Sequence, residues 1–300
     1  MPNKKKVRKI KFTRTTGLAI LVTILTFAFF GVYISQLILN PSFNANLQSD
    51  ASGVKTTRFN KALNLIDDSG YVILNNTVGI EHRNDYTFEL WLKPNEAETN
   101  GQYAVVLTKD TSSDPSFQAD TGYNLSWRSD RWYQDIYHLY VRFNYASAFY
   151  SNCQPNSVYE GAIRLKSSEL LGWQHIAVVF RSSDHRVIMY RNGQEMQGSY
   201  VLQDWQCRTD TSPLVIGKRP GLTTRRFNGQ IDELRLSDIA RYTSAFEPPI
   251  QQFIPDTNTL LLYNFNVSTQ TTVLPDLSNN HRDAQIIGKV DFVTSNITLP

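Results

Sequence analysis

The 300-residue chain carries 30 Lys and Arg against 27 Asp and Glu, yet seven of those bases fall within the first 14 positions and no acid falls within the first 39. With the seven set aside, 23 bases face 27 acids, so residues 40–300 carry about −4, a balance without the basic footprint of a nucleic-acid-binding protein. Two cysteines without C-x-x-C spacing, and five histidines without H-x-x-x-H spacing, leave no zinc-type site.

In chain order, residues 1–16 form a basic tail containing Lys4, Lys5, Lys6, Arg8, Lys9, Lys11 and Arg14. Residues 17–39, GLAILVTILTFAFFGVYISQLIL, come next without a charge. As a helix this run is roughly 34 Å long, enough to cross a hydrocarbon core of about 30 Å. The positive-inside rule keeps the tail in the cytoplasm and exports the C-terminal part of the chain, which predicts a single-pass protein of the cell membrane with an extracellular domain. A cleaved signal peptide shares the basic start, but its apolar region is about 7 to 15 residues and a pair of small residues marks its cleavage point. NPSFNANLQSD offers no clear pair of that kind.

Residues 40–57 are rich in Asn, Ser, Thr and Ala and read as a spacer. From 58 onward short strand candidates alternate with turns, and 16 Phe, 15 Tyr and 5 Trp favour β structure throughout. In 87–93 Phe88, Leu90 and Leu92 share one face while Glu89 and Trp91 take the other. In 138–144 Leu139, Val141 and Phe143 alternate with Tyr140, Arg142 and Asn144 in the same way. QHIAVVF at 174–180 is nearly continuous in apolar residues, as a central strand should be. Residues 187–190 lead into Asn192-Gly193, the strongest short hairpin signal. Further strands are expected at 214–217, 230–236, 260–265 and 284–287, with one helical turn at 237–242 capped by Ser237 or Asp238.

Cys153 and Cys207 lie in polar, turn-rich segments on the exported side, where a single disulfide is the natural expectation. It would close a loop of about 55 residues, worth about 3–4 kcal/mol on the chain-entropy account.

Several segments taken together resemble one family. They are KALNLIDDSGYVIL (61–74), YTFELWLKP (86–94), GWQHIAVVF (172–180), VIMYRNGQ (187–194), LVIGKR (214–219), FNGQIDELRLSDIARYTSAFEPP (227–249) and DTNTLLLYNFN (256–266). In this order they resemble the laminin-G-like jelly rolls of the concanavalin A-like lectin/glucanase superfamily, which implies an all-β fold of two antiparallel sheets over 58–300. PDLSNNHRDAQIIGKVDFV (275–293) is similar to the segment that normally precedes the first family strand. It reads either as a permuted strand pair completing the same sandwich or as the remnant of a second repeat.

For chemistry, the resemblance first raises glycoside hydrolysis, which needs two carboxylates about 5 to 9 Å apart. The E-x-D-x-E strand pattern of hydrolytic relatives is absent. Glu96 and Glu98 fall in a turn, and Asp232 and Glu233 are neighbours that a regular strand sends to opposite faces. His82, His138, His175, His185 and His281 are scattered, and no serine sits in a G-x-S-x-G elbow, so no catalytic residue is expected.

Calcium is a candidate ion because many relatives hold it at the sandwich rim, and Asp67, Asp68, Asp110, Asp114 and Asp120 lie in loops of suitable composition. For binding a glycan or surface glycoprotein, Asn124, Ser126 and Arg128 alternate with Tyr123, Leu125 and Trp127, and with Tyr140, Arg142 and Asn144 would form a wetted polar and aromatic face. Trp132 and Tyr133, in the aromatic run 131–140, either extend this surface at the rim or cap the core. Three functions are compatible with these features: a membrane-anchored, non-catalytic recognition module; a carbohydrate-active enzyme with a degenerate site; or a structural envelope or adhesion protein.

Overall fold

The computed structural model describes residues 61–297 except 67–69, 81–83, 96–103, 110–122, 130–135, 146–156, 167–171, 197–199, 202–211, 222–225 and 250. The chain divides into a unit of residues 1–55 and a unit of residues 56–300, and the described residues belong to the second. The predicted transmembrane helix and spacer therefore lie outside them. Among the described residues no helix is long and apolar enough to cross a membrane.

The described residues form two antiparallel sheets. The first contains β1 (Lys61–Leu65), β3 (Tyr86–Pro94), β8 (Gln174–Arg181), β9 (Arg186–Arg191), β10 (Gln194–Glu195), β11 (Tyr200–Val201), β13 (Gly229–Ser237), β14 (Thr259–Tyr263) and β17 (Asp291–Thr294). Its main path runs β10-β9-β8-β3-β13-β1-β17. The second contains β2 (Tyr71–Leu74), β4 (Ala104–Lys109), β5 (Tyr123–Ser129), β6 (Ile136–Tyr145), β7 (Ser157–Lys166), β12 (Leu214–Ile216), β15 (Val273–Leu274) and β16 (Ala284–Ile287), in the order β15-β16-β2-β12-β4-β5-β6-β7.

Period-two alternation builds the core between these sheets. From the first sheet come Phe88, Leu90, Leu92, Ile176, Val178, Phe180, Ile231, Leu234 and Leu236; from the second come Leu107, Tyr123, Leu125, Trp127, Leu139 and Val141. Phe88 stacks on Tyr123 at 5.4 Å between ring centroids, and the Tyr86 and Tyr123 hydroxyls hydrogen-bond at 3.0 Å, joining the sheets. The architecture is thus the all-β, two-sheet jelly roll that the sequence implies.

The C-terminal segment is integral to both layers. β16 pairs with β2 and β17 pairs with β1, so the last strands complete the sandwich and cover edges that would otherwise be open. Contact is close here, since a Cβ on Gly70 would lie 2.0 Å from the Lys289 carbonyl oxygen.

The hairpin at Asn192-Gly193 has φ of 48° and 75°, as a two-residue turn between β9 and β10 requires. The Phe246 amide donates to the Gly193 carbonyl at 2.9 Å, which fixes the segment after β13 against the hairpin.

The expected helical turn at 237–242 is absent; Ser237 ends β13 and the chain then bends. Side chains take the bonds a helix would have used. The Thr87 hydroxyl donates to the Ile239 carbonyl at 2.7 Å and accepts from the Arg241 amide at 3.1 Å. The Arg241 guanidinium donates twice to the Asp256 carboxylate at 2.8 Å.

Candidate functional site

The β5–β6 register gathers the predicted binding residues. Ser126 stands opposite Tyr140, Asn124 opposite Arg142 and Arg128 opposite His138, while Asn144 stands opposite Val158 of β7. Tyr123, Leu125, Trp127, Leu139 and Val141 fill the core, so the intervening positions belong to the outer face of the second sheet. Thr108 of β4 extends the set by standing opposite Asn124.

Part of this face is buried, not wetted as expected. Thr108, Asn124 and Ser126 are fully buried, and Tyr140 retains only 7% of its exposure. The Ser126 hydroxyl donates to Asn124 Oδ1 at 2.6 Å, and His138 stacks on Tyr140 at 5.4 Å. Alternation assigns a residue to a face but does not set its exposure there. Asn124 Nδ2 and Thr108 Oγ1 find no hydrogen-bond partner among the described residues. Two adjacent strands therefore hold unspent hydrogen-bonding capacity in a buried setting, a costly arrangement unless a ligand or water uses it.

Trp132 and Tyr133 lie outside the described residues, as do Cys153 and Cys207 and the five candidate calcium ligands Asp67, Asp68, Asp110, Asp114 and Asp120. Among the described residues there is no group of three potential metal ligands.

A second polar cluster, which alternation signalled only as Glu89 facing away from the core, lies on the outer face of the first sheet. Fully buried Glu89 of β3 accepts from Tyr242 Oη at 2.6 Å, His175 Nε2 at 3.2 Å and Arg235 Nε at 2.8 Å. Burial raises its pKa, but the His175 hydrogen bond, the Arg235 charge and the Tyr242 hydroxyl outweigh burial and bring it down to about 2. Tyr242 and Phe246 stack over this cluster, and the Phe253 ring sits 4.2 Å from the Arg235 guanidinium carbon.

Asp232 and Glu233 do not diverge. A register shift between Asp232 and Arg235, with Glu233 at φ 52°, places both carboxyls on the outer side of the first sheet. Asp232 pairs in register with Trp91, and Glu233 Oε2 accepts from the Phe253 amide at 2.7 Å in the overlying segment. Both are fully buried. Desolvation pushes the Glu233 pKa up to about 8; desolvation and the adjacent Glu233 push that of Asp232 well up. Both carboxyls lie buried on the outer side of the sheet, with Glu233 bonded to the segment that covers it.

Comparison with known proteins gives a consistent family signal. A laminin-G family model described as the concanavalin A-like lectin/glucanases superfamily matches residues 67–244. Among solved structures, a candidate carbohydrate-binding protein from Bacteroides ovatus superposes with a TM-score of 0.54 at 16% identity, covering 80% of this chain and 62% of that one. This chain thus spans less than two thirds of that protein. A heptameric pentraxin from Limulus polyphemus superposes at a TM-score of 0.44 and 15% identity, covering 61% and 78%. The carbohydrate-binding module of a Ruminococcus gnavus sialidase, bound to sialyllactose, gives 0.41 at 9% identity, covering 61% and 92%. At these identities the likeness is one of fold. No curated protein matches the sequence.

Proposed function

Because the chain belongs to the concanavalin A-like lectin/glucanases superfamily, we propose that it is a non-catalytic recognition module that binds a glycan on the outer face of its second sheet. The observation that carries this reading is the pair Thr108 and Asn124, opposite one another and buried, whose Oγ1 and Nδ2 have no partner among the described residues. Amide and hydroxyl groups beside a stacked His138–Tyr140 pair are the chemistry that sugar hydroxyls and apolar sugar faces require. The fold shared with a candidate carbohydrate-binding protein of Bacteroides ovatus supports the same ligand class.

The lack of catalysis is inferred from the acids. Asp232 and Glu233 are fully buried with their pKa values pushed up by desolvation, while Glu89 is engaged by Tyr242, His175 and Arg235. Residues 17–39 anchor the module in the cell membrane, with the basic tail inside and residues 58–300 outside.

A glycan-array screen of the full chain, with and without calcium, tests the reading together with Thr108→Val. Valine keeps the shape and removes a hydroxyl that no described residue bonds. Stability should hold or rise by about 1 kcal/mol while glycan binding falls. Unchanged binding to every captured glycan would remove the site, and an array without a captured glycan would remove the function. Protease applied to intact cells should cleave the domain; full-length protein protected until lysis would contradict the anchor.

A further inference from the structure

Three Asn-Gly pairs occur in the chain, at 100–101, 192–193 and 228–229. The first lies outside the described residues, and the other two stand in contrasting surroundings. Asparagine before glycine is open to attack by the next main-chain nitrogen, because glycine has no Cβ to keep the preceding side chain away.

Asn192, half-buried at the β9–β10 hairpin, is held on several sides. Its Oδ1 accepts from the His175 amide at 2.8 Å, its Nδ2 donates to Gln174 Oε1 at 3.0 Å, and its own amide donates to the His175 carbonyl at 2.8 Å. Asn228, directly ahead of β13, is exposed. The Asn95 amide donates to its main-chain carbonyl at 3.1 Å and Asn95 Nδ2 donates to its Oδ1 at 2.9 Å, while its Nδ2 has no partner among the described residues. A donor thus sits on the oxygen that gathers negative charge under attack, and nothing holds the nitrogen that would leave. Packing also makes glycine obligatory at 229, where a Cβ would lie 2.5 Å from the Phe227 ring and 2.6 Å from the Lys93 carbonyl oxygen.

We infer that Asn228 is a site of self-modification, deamidating through a cyclic imide formed with Gly229. The Gly229 nitrogen gives up its proton and bonds to Asn228 Cγ. The Cγ–Nδ2 bond breaks, and the departing nitrogen takes that proton and leaves as ammonia. Water then opens the imide: entry at the side-chain carbonyl gives aspartate, and entry at the main-chain carbonyl gives isoaspartate, with no change of oxidation state. Either product adds a carboxylate. Isoaspartate also adds a carbon to the main chain directly before Gly229, which stands opposite Leu65 of β1 and Pro94 of β3, so this form should melt below the native protein.

The test holds the full chain in mildly alkaline buffer and follows each Asn-Gly peptide by mass spectrometry, with isoaspartyl methyltransferase labelling as a second readout. In the folded protein Asn228 should convert about tenfold faster than Asn192, whose side-chain hydrogen bonds must first break. In urea the two rates should converge. Asn228→Gln should remove the labelling from its peptide. Asn95→Ala keeps the main-chain bond to the Asn228 carbonyl but removes the donor from Oδ1, and should slow conversion severalfold in a chain that melts as a folded protein. Equal or faster conversion of Asn192 in the folded protein would overturn the inference, as would an Asn228 that stays intact there and converts only in urea. Unchanged or faster conversion in Asn95→Ala would overturn the part given to Asn95.

Discussion

Glu89→Gln is the sharpest test of how the first sheet is covered. In the native protein the carboxylate answers Arg235 at two points, Nε at 2.8 Å and a terminal guanidinium nitrogen at 2.7 Å, and also accepts from His175 and Tyr242. Glutamine keeps the shape but leaves Arg235 without its anion and presents an N–H₂ where an acceptor is needed. The fall in pKa from 4.5 to about 2 corresponds to about 3 kcal/mol of stabilisation in the ionised form. Because the folded value lies below the unfolded one, that contribution is complete above pH 4.5 and is lost as pH falls toward 2. Urea unfolding followed by tryptophan fluorescence should therefore show the variant about 3 kcal/mol less stable at pH 7, with the gap closing in acid. Trp91, which meets His175 edge-on at 5.3 Å, makes fluorescence a local probe. A gap below about 0.5 kcal/mol at pH 7, or one that does not change with pH, would refute the assignment of Glu89 as the anion that holds the cover in place.

Three further outcomes are expected. Glu233→Gln should flatten the pH dependence in the opposite direction: the wild-type residue, raised from 4.5 to about 8 in the fold, makes the protein less stable as pH rises through that interval, so the variant should be the more stable at pH 9 by urea titration. Gly193→Ala should cost about 2–4 kcal/mol by thermal melting, because a Cβ would lie 1.7 Å from the Phe246 carbonyl oxygen at a residue with φ of 75°. Replacing Trp132 and Tyr133 together by Ala separates the two readings of that run: lost glycan binding at an unchanged melting temperature makes them recognition residues, and a loss of about 3 kcal/mol or more makes them core.

Period-two alternation identified the inward residues of β3, β5 and β6, and the Asn-Gly pair placed the β9–β10 turn, because both signals are local. The outer faces were harder to read. Alternation gives a residue its side of a sheet but not its exposure on that side, so Asn124 and Ser126 look like surface residues and are buried. Likewise, the side of Glu233 depends on a backbone angle at one bulge, and the partners of Glu89 arrive from 86 to 153 residues away. The signal for that network was present in Glu89 itself, a carboxylate in the middle of an apolar strand, which must find a cation once both sheet faces are covered.

Completion of both sheets by the C-terminus also governs when folding can finish. Lys61 pairs with Thr294, and Tyr71 pairs with Ile287, so the first two strands remain half-paired until nearly the whole chain has emerged. Contacts of such long sequence separation make for slow folding. A chain synthesised N-terminus first would meanwhile present the bare edges of β1 and β2 to its neighbours, which invites intermolecular strand pairing. Supplying residues 269–300 in trans should therefore rescue a chain truncated before them by strand addition, and the same vacant edges would make the truncated protein aggregate when left alone.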